Sequence, residues 1–236
     1  CQVYKPSFNN NLNIENAIKE TTNMIITYKG NPINAFYHAS NGGISALASE
    51  SWEMKNYPYF LTKYDLIGGK NNKFNNYYKN EKLLRNFIFD KNNKFLGSKH
   101  YLFRWKKKIS STQILNLISE QNSSFKKDQT IDLKIIERGK SGRVIKLEIR
   151  QSGRIDPLIL NKDDIRKYLK FLPSNLFIID KLNDDFWVFT GGGFGHGVGL
   201  SQSGAIEMAK LGFDYERILS HYYEGISITD LQSIGR

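Results

Sequence analysis

The sequence predicts an α+β fold in which antiparallel hairpins alternate with short helices. Three observations predict it. Residues 131–137 and 144–150 alternate apolar and polar side chains on either side of Gly139-Lys140-Ser141-Gly142, the pattern of two half-buried strands joined by a tight connection. Helical spacing occurs only in short stretches, as at Ile114, Leu115 and Ile118 behind Ser110 and Ser111. With 40% hydrophobic and 13% aromatic residues among 236, the chain can bury a core of one large domain or two small ones.

Taken in order, residues 2–4 read as a strand and residues 14–21 as a short helix, with Asn13 as N-cap and Ile14, Ala17 and Ile18 on one side. Residues 24–28 and 33–38 read as a hairpin closed by Lys29-Gly30-Asn31-Pro32, which delivers His38 near its end. Asn41-Gly42-Gly43 breaks that strand, and the aromatic stretch from Trp52 to Leu61 packs over the break. Gly68-Gly69-Lys70-Asn71-Asn72-Lys73 is polar and glycine-bearing, the best internal boundary. Beyond it come a strand over 101–109, a helix over 111–118 and the hairpin of 131–150. A short helix over 162–169 and a short strand over 177–179 follow. The C-terminal part holds an apolar strand at 186–189, a helix from Ala205, a helix over 214–223 ended by Gly225, and a strand over 226–228.

The most informative segment is Gly191-Gly192-Gly193-Phe194-Gly195-His196-Gly197-Val198-Gly199-Leu200-Ser201-Gln202-Ser203-Gly204-Ala205. Glycine accepts positive φ and lets another group approach the backbone. A strand that breaks into bare backbone, presents one histidine and then starts a helix is a plausible catalytic or binding loop. The same pattern also describes a tight packing turn with a structural histidine. The segment lacks the Gly-Lys-Ser/Thr ending of a phosphate loop and the downstream acidic residue of a dinucleotide fingerprint. It also lacks the Gly-x-Ser-x-Gly elbow, which disfavours Ser201 as the nucleophile of a triad. Ser201 stands where a cap for the following helix belongs.

The run from Phe194 to Ala205 resembles the C-terminal signature of the stage II sporulation protein D family, which shares its domain with the amidase-enhancer proteins. An upstream block matches in order: Cys1-Gln2-Val3-Tyr4, then Tyr28-Lys29-Gly30-Asn31-Pro32-Ile33, then Tyr37-His38-Ala39-Ser40-Asn41-Gly42-Gly43, Glu50-Ser51-Trp52 and Pro58-Tyr59-Phe60-Leu61. The resemblance implies a core of residues 1–67 and 181–236, a more variable second lobe of 68–180, and a substrate groove between the lobes. It implies a peptidoglycan lytic transglycosylase, or alternatively a non-catalytic amidase enhancer with the same groove. It also implies an extracytoplasmic place at the cell wall or the membrane, with glycan strands and other wall hydrolases as partners.

In that family the catalytic glutamate lies on a helix before the strand that Gln2-Val3-Tyr4 resembles, so the matching position is expected upstream of residue 1. Within the sequence the candidates for catalysis are His196 as general acid or base, and Glu50 and Glu207 as acids, with Glu53 and Asp65 as further carboxylates near the His38 turn. His38, Ser40, Asn41, Gly42, Gly43, Gly195, Gly197, Ser201 and Gln202 are the candidates for substrate binding. Each has a bland alternative: a surface carboxylate, a helix cap or a satisfied core histidine. Some relatives bind zinc at the His38 turn through cysteines beyond it. Residues 44–49 contain no cysteine, so neither a metal nor another cofactor is expected. His100 and His221 read as ordinary surface or packing residues.

The net charge is +11, from 34 Lys and Arg against 23 Asp and Glu. Such a balance favours an anionic partner, and the resemblance makes that partner wall glycan. The densest cluster, Arg104-Trp105-Lys106-Lys107-Lys108, reads equally as an edge strand guarded by lysines. No helix-turn-helix, zinc-finger or RNP motif is present, so nucleic acid is not expected, although charge alone leaves a basic nucleic-acid binder as a third class. No apolar run is long enough to span a membrane, and no basic-then-apolar leader is read. One cysteine forms no internal disulfide and leaves the redox compartment open.

Overall fold

The computed structural model describes residues 12–66, 80–90, 94–126 and 128–233. The expected strand at 2–4 and the boundary at 68–73 lie outside them. The chain is α+β, with small, mainly antiparallel sheets between short helices. It divides into two compact units, one of residues 1–34 and 225–236, the other of residues 35–224.

In the smaller unit, β1 (Met24–Tyr28) lies between β2 (Asn31–Pro32) and β11 (Ser227–Asp230), antiparallel to both. Lys29 and Gly30 carry φ of 50° and 79°, the primed-turn geometry that matches strand twist. Helix α1 (Leu12–Glu20) begins one residue before the expected cap Asn13, and its apolar residues Leu12, Ile14 and Ile18 are exposed. The expected hairpin of 24–28 with 33–38 is corrected. On the β2 side, β1 pairs with Asn31 and Pro32. The Ile33 N–H still donates to the Ile26 carbonyl at 3.1 Å, and β2 ends before it.

The larger unit has two three-stranded antiparallel sheets. In one, β9 (Phe186–Gly191) lies between β4 (Trp105–Ser110) and β8 (Phe177–Lys181). The strand expected at 101–109 starts four residues later, because residues 101–104 form turns and Arg104 donates to the carbonyls of Gly42, Phe103 and Phe87. As an edge strand, β4 exposes Lys106 and Lys108, the guarded edge read as one alternative from the sequence. In the other sheet, β6 (Val144–Gln151) is central between β5 (Ile131–Arg138) and β7 (Leu158–Asn161). Two register shifts leave Ile136 of β5 and Ile145 of β6 out of this pairing, and across the second the buried positions of β6 change from Val144 to Leu147 and Ile149.

Helix α3 (Ser111–Ser119) starts in a capping box made by Ser110 and Gln113, and buries Ile114, Leu115 and Ile118 as its spacing predicts. These side chains join Trp105, Leu147, Ile149, Phe177, Trp187 and Phe189 in the main core. A second core forms around Ile44, Phe95, Phe103 and Ile178, with Leu84, Phe87 and Ile88 of α2 (Glu81–Phe89). Neither α2 nor β7 is expected from the sequence. Helix α4 (Asp164–Tyr168) is shorter than its predicted span. Helices α5 (Gln202–Lys210) and α6 (Tyr215–Tyr222) follow the glycine loop, and Asp214 caps α6 through the Arg217 N–H.

Candidate active site

The site is built where two distant segments of the larger unit meet. Strand β3 (Tyr37–His38) pairs in parallel with β10 (Leu200–Ser201), with Tyr37 opposite Leu200 and His38 opposite Ser201. Ser40 and Phe194 exchange both backbone hydrogen bonds, at 3.1 and 2.7 Å, and the Ala46 N–H reaches the Gly197 carbonyl at 2.8 Å. His38 is thus delivered by pairing with Ser201 and not by a hairpin from β1.

Glycines make this approach possible. A Cβ on Gly42 would lie 2.7 Å from the Gly192 carbonyl carbon, and one on Gly193, at φ 85°, would lie 2.7 Å from the Ser40 carbonyl oxygen. Both contacts are shorter than any real side chain tolerates. The space beside Gly197 is filled by the Arg143 guanidinium, and that beside Gly195 by the His38 side chain. Gly42, Gly43 and Gly197 are buried, and Gly195 is half-buried. The bare backbone expected to face a sugar faces the chain's own groups at these positions.

The two histidine rings stand 5.2 Å apart. A carbonyl can only accept, so the 3.2 Å contact between His38 Nδ1 and the Val198 oxygen places the proton on Nδ1. His38 Nε2 is buried without a hydrogen-bond partner. His196 Nδ1 accepts the Val198 N–H at 3.1 Å, and its Nε2 donates to the Tyr37 carbonyl at 3.0 Å. Burial pushes the His196 pKa down to about 4 against the small upward pull of the Tyr37 bond. Burial, then the neighbouring His196 and Arg143, hold His38 well below the ordinary histidine range. Both rings are therefore neutral near pH 7, and both nitrogens of His196 are engaged by backbone.

Ser201 sits at the N-cap of α5 but makes no capping hydrogen bond. Its fully buried Oγ lies 3.4 Å from the Asn41 N–H, which donates to it, and 3.3 Å from Ser203 Oγ. Ser40 is equally buried, and its Oγ accepts from the Gly42 N–H at 3.4 Å. Asn41 Oδ1 accepts the Gly43 N–H at 2.8 Å, while its Nδ2 donates to Asp65 at 2.7 Å. The buried Asp65 carboxylate also holds His221 Nε2 at 2.8 Å and the Tyr222 hydroxyl at 3.1 Å. His221 thus has a defined partner in Asp65. Gln202 is half-buried as the first residue of α5.

The candidate carboxylates are placed differently. Glu50 ends a 3₁₀ turn, Ala48–Glu50, and is 3% exposed. Its carboxyl accepts from the Ser141 hydroxyl and, at 3.3 Å, from the Ser141 N–H. Burial raises its pKa against the lowering influence of Ser141 and of Arg143. The neighbouring Ser51 hydroxyl donates to the His196 carbonyl at 3.1 Å, which ties the Glu50 turn to the histidine loop. Glu207 accepts the Gly97 N–H at 2.7 Å and is held there. Glu53 is exposed and paired with Lys162 at 2.9 Å.

Sequence reasoning misses one group here. Arg143, 1% exposed, donates to the carbonyls of Asn41 at 2.9 Å and Ile44 at 3.1 Å. It links the β5–β6 turn to the His38 turn, and nothing local in the sequence marks it. Trp52, the first residue of the aromatic stretch expected to pack over the break, is half-buried, with its ring 4.7 Å from that of His196 and 4.9 Å from that of Phe36. Among the described residues no group of three or more His, Cys, Asp or Glu side chains is placed to hold a metal ion, and no helix is long and apolar enough to cross a membrane.

A family described as a domain of unknown function, DUF8618, matches residues 46–199. The amidase enhancer of Bacillus subtilis strain 168 is 24% identical over 247 residues, covering 97% of this chain and 34% of that protein. An uncharacterised protein of Brachyspira hyodysenteriae is 26% identical over 237 residues, covering 100% of this chain and 54% of its own length. Stage II sporulation protein D of Bacillus amyloliquefaciens is 45% identical over 53 residues, or 22% of this chain and 15% of that protein. The chain thus spans about half or less of the relatives it matches. The amidase-enhancer and sporulation-protein names are those to which the two sequence blocks pointed.

Proposed function

The chain belongs to the DUF8618 family, and from the site assembled within it we propose that it binds peptidoglycan glycan strands at the cell wall, in the manner of an amidase enhancer. The observation that carries this reading is the aromatic surface around His196. The half-buried Trp52 and Phe36 rings stand 4.7 and 6.4 Å from a neutral, backbone-locked imidazole, and sugar rings pack their C–H faces on such surfaces. The relative named amidase enhancer supports the direction, and the net charge of +11 suits an anionic polymer. In this reading the protein acts outside the cytoplasm, holds glycan for a partner hydrolase and cuts nothing itself. His196 organises the loop and carries no proton to substrate.

A second reading, lytic transglycosylase, is favoured by one observation: burial raises the Glu50 carboxyl pKa, the property a general acid needs. A cell-wall digestion assay separates the two. The protein is added to purified peptidoglycan with and without a wall amidase, and released glycan and peptide are measured. The binding reading expects no release by the protein alone and faster release by the amidase in its presence. Release of anhydro-sugar ends by the protein alone, abolished in Glu50→Gln with the fold retained, would establish the second reading instead.

A further inference from the structure

Beside the glycine loop lies an open basin of about 340 Å³, bordered by Arg166, Lys167, Lys170, Asp163, Pro173 and Phe194 among others. Three of its lining residues are cations and one, Asp163, is a carboxylate, while Asp164 and Glu120 pair two of the cations from beside it. The basin is fixed to the histidine loop by three hydrogen bonds. The Gly195 N–H donates to the Pro173 carbonyl at 3.0 Å, the Asp163 N–H to the Ser51 carbonyl at 3.2 Å, and the Ser51 hydroxyl to the His196 carbonyl at 3.1 Å. Phe194, 41% exposed, belongs to both the basin and the loop.

The cations differ in how far the chain already neutralises them. Lys167 and Lys170 form exposed pairs at 2.8 Å with Asp164 and Glu120, contacts that water and salt weaken. Arg166 meets Asp163 only through Nε, at 3.4 Å, and its Nη1 is buried and makes no hydrogen bond among the described residues. Its planar fork is the geometry that a carboxylate or phosphate fills. The field of Arg166 also reaches both histidines, where it opposes protonation.

We propose that this basin is an anion subsite, in which Arg166 receives a carboxylate or phosphate carried by the saccharide bound beside His196, while Phe194 and Pro173 pack against the adjoining apolar atoms. The chain then selects acidic over neutral glycans. The inference rests on the glycan-binding reading and adds a substrate class to it.

Binding is measured by Trp fluorescence and calorimetry with three probes. These are neutral chitotetraose, amidase-stripped glycan strands bearing free lactyl carboxylates, and a glycerol-phosphate polymer. The expected result is tighter binding of an acidic probe than of chitotetraose. Arg166→Gln should weaken the acidic probe about tenfold and leave chitotetraose unchanged. Lys170→Gln, at an exposed position that leaves the fold intact, should weaken it about twofold. Whichever acidic probe responds to Arg166→Gln identifies carboxylate or phosphate as the source. Equal loss for all probes, or no loss for any, overturns the subsite. Binding of the phosphate polymer alone would reject the glycan reading and keep the subsite, whereas binding of no probe rejects both.

Discussion

His196 uses both ring nitrogens on the backbone, one accepting from Val198 and one donating to Tyr37. Protonating Nδ1 would therefore break the Val198 contact inside a desolvated loop. The consequence for stability has a definite sign. The folded pKa, pushed down to about 4, lies below the ordinary value of 6.5, so between the two the unfolded chain binds more protons. Stability is complete above about pH 6.5 and falls as the pH drops toward 4, with roughly 3 kcal/mol at stake for this one residue. Urea unfolding from pH 7.5 to pH 4 should show that decline, and His196→Gln should make it shallower, leaving the share of His38. An unchanged slope in His196→Gln would mean that the ring is not locked in its neutral form. The importance of His196 and His38 is legible in the sequence because each stands beside glycines that end a strand. Their neutral, bonded state is not, since it depends on the Val198 and Tyr37 backbone and on burial.

At the scale of elements, the pairing of β3 with β10 brings together segments some 160 residues apart. It depends on glycine at positions where a side chain has no room. Gly193 and Gly153 provide a comparison. Both have positive φ, 85° and 75°, but a Cβ on Gly193 meets the Ser40 carbonyl oxygen at 2.7 Å while one on Gly153 meets nothing within 4 Å. Gly153→Ala should cost about 1 kcal/mol, the left-handed backbone penalty alone. Gly193→Ala should cost at least about 2 kcal/mol more, because backbone cannot yield as a flexible side chain does. Equal losses in urea unfolding would reject the close approach of the two turns. The elements around this seam were legible to different degrees. The 131–150 hairpin and α3 follow from alternation and capping, both local signals. The end of β2 at Pro32 was obscured by an apolar run that continues to His38. Helix α2 follows the polar stretch that reads as a boundary. Arg143 escapes sequence reading because its partners, Asn41 and Ile44, are about 100 residues away.

At the scale of the whole molecule, charge acts through its sum and its placement. Of the excess cations, Lys106 and Lys108 stand exposed on the β4 edge, and Arg166, Lys167 and Lys170 border the basin beside Phe194. Edge lysines oppose pairing with another sheet whether or not a ligand is present. Those beside Phe194 border the histidine loop, which the Gly195 N–H ties to Pro173. The net charge of +11 should therefore draw the protein to an anionic wall polymer over distances set by the Debye length, about 10 Å at 0.1 M salt and about 3 Å at 1 M. Co-sedimentation with purified peptidoglycan should be strong at low salt and fall steeply by 0.5 M. Cellulose, a neutral glycan of similar insolubility, should retain little protein at either salt. The aromatic part of the interaction is less sensitive to ions, so a salt-resistant remainder should persist on peptidoglycan and disappear in Trp52→Ala. Equal retention by cellulose and peptidoglycan would reduce the interaction to unspecific adsorption of a basic protein. Complete loss on peptidoglycan at high salt, with no further effect of Trp52→Ala, would leave charge alone as the attraction and remove the aromatic surface from the proposed role.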